Sequence, residues 1–320
     1  MRRIIFTALI AWLVVAKAEV ISGQAQRIVI AYPSRSIGSI HSFIALERGF
    51  FREEGLDGQL VQVRGTAAVA ATVSGDAHAF EAMGTAMGAI QRGVPLRILA
   101  VSLYRPLFWL ATRPQLKTAQ DLNSKIMGTT TFGGVQHLTG LRMLRKLGVN
   151  PDTVTVMQVG DVPTQLQALT TGAIDMAPLS PPTVIRARDQ YKMNLVAGAL
   201  SDFVGFQNGF AVLEASLLRD RALFKKLLRA RTKANRYFWE NEKGTSEVLA
   251  KYMKVDFPIA LESYRISREA YTTNSIPSEQ EINEVLKLDA ELLKIPEPLP
   301  ASRIFDFALQ REVNKELGVK

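Results

Sequence analysis

The sequence predicts an α/β protein of two similarly built lobes followed by a helical tail. Three observations carry that expectation. Short β-rich runs alternate with helical patterns of 8–15 residues, as βαβ units around a largely parallel sheet require. The alternation runs once over residues 27–103 and again over 125–199, in step at a constant offset of 97. From residue 224 onward helical patterns dominate, and such a stretch pads a lobe rather than building another sheet.

The elements follow in order. Residues 27–32, an apolar run ended by Pro33, read as a buried strand, and 33–39 as a Ser- and Gly-rich turn. Residues 41–53 carry Ile44, Ala45, Gly49 and Phe50 at helical spacing, with Gly55 placed to stop the helix. A strand at 60–63, a helix at 66–73 ending near Gly75, a strand at 77–83, a helix opening at Gly84-Thr85 and a strand at 96–103 complete the first series. The second has strands at 125–129, 153–157, 174–177 and 193–199 with helices at 133–147, 162–169 and 183–189. Gly75 then falls on Gly172, Ile30 on Met127, Phe50 on Leu147, Leu60 on Met157, Val69 on Leu166 and Leu99 on Val196. Few of these are identities, so the match is one of topology and spacing. In the tail, 245–254, 258–272 and 278–294 are amphipathic, with a capping box at Ser278 and Glu281. Pro296, Pro298 and Pro300 make an extended spacer before a last helix at 303–317.

Length and composition limit the functions. The 320 residues are 47% hydrophobic and 22% charged, enough for a sizeable core and unlike a disordered chain or a coiled-coil rod. Cysteine is absent, which removes disulfides, thiolate metal sites and thiol nucleophiles. Arg2 and Arg3 precede an uncharged apolar run at 4–16, too short to span a bilayer and suited to a secretory signal peptide. Cleavage is expected after Ala25, giving an exported, periplasmic protein. An uncleaved anchor is the alternative reading.

Without residues 1–25 the net charge of +9 falls to +7, and residues 219–236 alone carry +7. Leu223, Leu227, Ala230, Ala234 and Tyr237 form an apolar stripe there, with Lys225, Arg229, Lys233 and Arg236 on another face. That face reads as a solvated helix surface, or as a docking site for an acidic partner or anionic lipid. No nucleic-acid motif accompanies it, and nucleic acid is not expected as a partner.

Catalytic motifs do not appear: there is no G-x-S-x-G, P-loop, G-x-G-x-x-G or H-E-x-x-H. The three histidines, His41, His78 and His137, are far apart in sequence, and the carboxylates form no evident acid/base couple. No catalytic residue, metal or cofactor is expected.

Four stretches carry a resemblance. They are residues 43–56 (F-I-A-L-E-R-G-F-F-R-E-E-G-L), 68–79 with Ser74-Gly75-Asp76, 116–128 with Asp121-Leu122, and 165–175 with L-T-T-G-A-I-D. Together they resemble the NMT1/THI5-like substrate-binding proteins of ABC importers, in the nitrate/taurine/sulfonate group, over about residues 27–215. The resemblance implies the type II periplasmic-binding-protein fold, two α/β lobes joined by two crossovers near 103–112 and 203–212. Lobe 1 would comprise 26–105 and 207–320, and lobe 2 would comprise 106–206. It implies a monomer that captures a small anionic or heteroaromatic molecule in the interlobe cleft and hands it to an ABC permease in the inner membrane. A sensing receptor of the same fold is the nearest alternative. Pyrimidine-synthesis enzymes of the wider group rely on a Cys-rich motif, which this chain lacks.

Ligands of open α/β sheets bind beyond the carboxyl ends of strands, where helix N-termini offer unpaired N–H groups. Four loops qualify. The first holds Ser34, Arg35, Ser36 and Ser39; the second, Gly84 and Thr85; the third, Thr130, Thr131, Phe132 and Gly133, with Gln136 one turn on. The fourth is the 97-residue counterpart of the second and holds Ser180. Each Ser or Thr could equally be a plain helix cap. Arg35 would grip a carboxylate, sulfonate or phosphate if it points into the cleft, and otherwise is a solvated turn residue. Trp109 and Phe132 would stack on a planar ligand or belong to the core.

Overall fold

The computed structural model describes residues 25–200 and 203–319. The signal peptide expected over 1–25 lies outside them except for Ala25. Ten strands form two five-stranded sheets among the described residues. They are β1 (Gln26–Tyr32), β2 (Leu56–Gln62), β3 (Ala79–Phe80), β4 (Leu96–Leu103), β5 (Trp109–Thr112), β6 (Ile126–Thr129), β7 (Thr155–Gln158), β8 (Met176–Leu179), β9 (Asn194–Gly198) and β10 (Asn208–Leu213). The orders are β2-β1-β3-β10-β4 and β7-β6-β8-β5-β9. Both sheets place one antiparallel strand fourth, and in each case the other lobe's chain supplies it: β5 follows β4 across, and β10 returns after β9. Neither was read as a strand in the sequence, where both sit inside the expected crossovers.

Helices α1 (Ile40–Glu47), α2 (Phe50–Glu53), α3 (Gly65–Ser74) and α4 (Met83–Gln91) accompany the first sheet, and α5 (Val135–Lys146), α6 (Val162–Thr171) and α7 (Thr183–Asp189) the second. The tail holds α8 (Glu214–Arg219), α9 (Arg221–Glu240), α10 (Glu242–Met253), α11 (Phe257–Ser267), α12 (Glu279–Leu293), α13 (Ala301–Ile304) and α14 (Ala308–Leu317). The offset of 97 survives in three dimensions. Both ends of α3 map onto both ends of α6. Ile30 pairs with Ala79 as Met127 pairs with Met176. Gly75 and Gly172 close those helices in the left-handed region, at φ 88° and 79°, where a side chain would be strained.

Each sheet is buried on both faces. Ile28 and Ile30 join one cluster with α1 and α9, while Val29 and Ala31 join another with α4 and α12, as period-2 alternation demands. The second sheet divides likewise: Leu110 and Met176 face one cluster, Ala111 and Ala177 the other. The tail does more than pad the first lobe. Ala260 and Tyr264 of α11 enter the first lobe's core, whereas Ile259 and Ile266 pack on the second's. Arg142 of α5 reaches Asp289 of α12 at 2.6 Å.

One tail helix ends earlier than periodicity suggested, and another is split in two. Residues 271–275 run along the edge of β4, where Val101 N–H donates to Ser275 O and Thr272 N–H to Ser102 O. Phe305 bridges to Ile98, which breaks the helix expected over 303–317 into α13 and α14. The tail thus seals an exposed sheet edge, and edge pairing outweighs local helix propensity.

Lys225, Arg229 and Lys233 on the basic face of α9 are half-exposed and paired with carboxylates. Lys225 pairs with Glu316 at 2.5 Å, Arg229 with Glu54 at 2.8 Å, and Lys233 with Glu54 at 2.6 Å. Glu54 lies just after α2 and Glu316 in α14, so the excess positive charge of α9 is met by carboxylates distant in sequence.

Candidate functional site

A cavity of about 50 Å³ lies between the two lobes. Its walls come from six places: the turn after β1, the starts of α4 and α6, the loop from β6 into α5, and the two crossovers. Seven of the residues expected at the site line it: Ser34, Ser36, Gly84, Thr85, Thr130, Thr131 and Gln136.

The cavity is rich in unused donors. The first intrahelical bond of α4 is Ala86 N–H to Ala82 O, so the Gly84 and Thr85 amides have no helical partner. In α5 the first is Leu138 N–H to Gly134 O, which leaves Val135 and Gln136 N–H equally unpaired. These helix N-termini belong to opposite lobes and touch at the cavity wall: a Cβ on Gly84 would lie 2.6 Å from the Val135 nitrogen. Thr85, Thr130 and Thr131 line the same space. Among the described residues no carboxylate, imidazole, amine or guanidinium does. Two positive dipole ends with donor hydroxyls suit an acceptor-rich or negatively charged ligand group.

Gln136 lines the cavity but is occupied. Its Oε1 accepts from Thr130 N–H at 2.7 Å, and its Nε2 donates to Pro178 O at 2.5 Å and to Gln165 at 2.9 Å. It braces the third loop rather than offering a free group.

The remaining expected residues lie elsewhere. Arg35 points away from the cavity and, 46% exposed, pairs with Asp161 at 3.3 Å. Ser39 is buried behind its loop, accepting from Asn208 Nδ2 at 3.4 Å. Trp109 packs on core residues of both lobes. Phe132 is 57% exposed, its edge against His137, and Gly133 donates its N–H to His137 Nδ1. Ser180 is fully buried; its neighbour Pro181 accepts the Ile37 N–H at 3.1 Å. The fourth loop therefore touches the other lobe through its backbone and does not line the cavity.

Phe108, Val162 and Gln207 line the cavity without having been expected. Gln207 is the informative omission. Its Oε1 accepts from Leu107 N–H at 2.8 Å, tying one crossover to the other. A polar residue inside the apolar run at 203–213 was the available signal.

The lobes are closed on each other. Asp161, the N-cap of α6, accepts from Thr164 N–H and also from Arg35 and Gln62 of the other lobe. Burial pushes the Asp161 carboxyl up, but hydrogen bonds from Thr164 and Gln62 outweigh it and hold the group below its ordinary value. Val162 N–H donates to Ser34 Oγ at 3.1 Å. Among the described residues no cluster of three His, Asp or Glu could hold a metal, and no helix is long and apolar enough to cross a membrane.

The family model for NMT1/THI5-like proteins matches residues 37–244. No curated protein sequence matches the chain. Among solved structures, a Bordetella bronchiseptica protein is similar at 19% identity and TM-score 0.80, covering 92% of this chain and 99% of that one. The alkanesulfonate-binding protein SsuA from Xanthomonas axonopodis pv. citri, bound to MOPS, is similar at 15% identity and TM-score 0.70, over 90% and 97% of the two chains. The desulfurization enzyme DSZB is similar at 13% identity and TM-score 0.67, over 91% and 100%. These likenesses establish the periplasmic-binding-protein fold.

Proposed function

We propose that this chain, which belongs to the NMT1/THI5-like family, is an exported solute-binding protein that closes on a small anionic molecule and delivers it to an ABC permease. The observation that carries the reading is the meeting of two unpaired helix N-termini, at Gly84-Thr85 and Val135-Gln136, at a cavity whose described wall holds no ionisable side chain. An anion in the cavity that both helix starts line would offset the repulsion of two like dipole ends and accept from their amides. Trp109 and Phe132 stand outside the cavity, and Phe108 is the aromatic side chain in its described wall. A wall of hydroxyls and amides supports capture over acid–base or nucleophilic chemistry.

Native mass spectrometry of protein purified under gentle conditions should show one co-purified small anion. Calorimetry with that compound should show one site, and incubation should return it unchanged. Turnover of the compound would replace this reading with an enzyme on the same fold. Failure of a strain lacking the chain to lose uptake would remove the permease step.

A further inference from the structure

The basic segment of the tail contains one cation unlike the rest. Arg231 of α9 is 1% exposed and its partner Glu81 is fully buried. One guanidinium nitrogen donates to Glu81 Oε1 and to Ser42 Oγ, the second bond at 3.0 Å. The other donates to Asn208 Oδ1 and to Ser102 Oγ, the latter at 3.2 Å. The guanidinium plane lies 4.6 Å from the Phe210 ring centroid. Asn208 in turn donates to Glu81 O at 3.3 Å and Ser39 Oγ at 3.4 Å.

None of these residues lines the cavity, yet they sit at the roots of its walls. Glu81 stands directly before Ala82 and the start of α4. Asn208 directly follows Gln207, where the return crossover enters β10. Ser39 and Ser42 anchor the segment that carries Ser34 and Ser36. Three wall segments, far apart in sequence, are therefore held by one planar five-donor group.

We propose that Arg231 is a positioning residue for the ligand cavity, setting the relative placement of residues 33–39, 82–86 and 205–208. The proposal rests on the cavity being the ligand site. A buried pair contributes little net stability over a well-packed neutral replacement, whereas removing one partner strands a charge. Stability and positioning can accordingly be separated by mutation.

In the full chain, Arg231→Met should lower the melting temperature by leaving Glu81 unpaired. Arg231→Met combined with Glu81→Gln should recover most of that loss. Amide hydrogen exchange, which needs no ligand, should nonetheless quicken at least tenfold in 33–39, 82–86 and 205–208 of the double variant, with 130–136 and α6 unchanged. Arg231→Lys keeps the charge without the fork and should quicken the same three segments, so a poorly folding double variant leaves the question decidable. Wild-type exchange in all three segments, in either the stability-matched double variant or the lysine variant, would overturn the proposal. Thermal-shift binding of MOPS to the wild type is a separate arm. Failure there, beside the expected exchange pattern, counts against an alkanesulfonate ligand and not against positioning.

Discussion

Gly84 and Val135 belong to opposite lobes, and a Cβ on Gly84 would stand 2.6 Å from the Val135 amide nitrogen. Gly84 takes no positive φ, so its helix does not require glycine; closure does. Alanine is the better helix former by about 1 kcal/mol. Gly84→Ala is therefore expected to hold or raise the melting temperature while keeping the lobes apart. Small-angle scattering should give the variant the larger radius of gyration at saturating ligand. Equal radii would show that the backbone at Val135 yields.

Thr85→Val and Thr131→Val remove a hydroxyl at nearly constant volume. Each should weaken ligand binding about tenfold, on the order of 1–1.5 kcal/mol for one hydrogen bond. Arg35→Ala removes an exposed partner of Asp161 outside the cavity and should change affinity less than about fivefold. Calorimetry on the three variants ranks them. A larger loss at Arg35 than at the threonines would return the anion contact to that arginine.

His41 gives the fold an acid-side weakness. Both ring nitrogens are buried without partners, and the ring packs edge-on against Phe238 and Tyr271. Burial, with Arg231 adding to it, holds its pKa well below the ordinary value. The unfolded chain takes up the proton first, near pH 6.5, so stability present above that pH is lost as pH falls, by about 1.4 kcal/mol per unit. His41→Leu should flatten this part of the profile. Parallel wild-type and variant curves between pH 6.5 and 5 would falsify the assignment.

Reversing Lys225, Arg229 and Lys233 to Glu would set new carboxylates against Glu53, Glu54, Glu312 and Glu316. The triple variant should melt several degrees lower at low salt. The deficit should shrink in 1 M salt, where screening acts within about 3 Å. An unchanged melting temperature at low salt would mean that these pairs contribute nothing.

The sequence by itself determined what is local or periodic. Alternating strands and helices, the offset of 97, the capping box at Ser278 and Glu281, and the hydroxyl-bearing loops before helices are all written within short windows. Tertiary structure decided which chemistry each side chain performs. Arg35 has the fork an anion needs, but it lies outside the cavity lining with its Nε against Asp161, 126 residues away. Strands β5 and β10 are legible only as chain between lobes until the opposite sheet supplies their partners. Arg231 lies two residues from both Arg229 and Lys233. Two residues turn a helix by about 200°, so Arg231 faces the core while its neighbours meet surface carboxylates. Periodicity places a residue on a helix face. Whether that face meets water, a carboxylate or a core depends on elements tens to nearly two hundred residues away, and no local pattern encodes them.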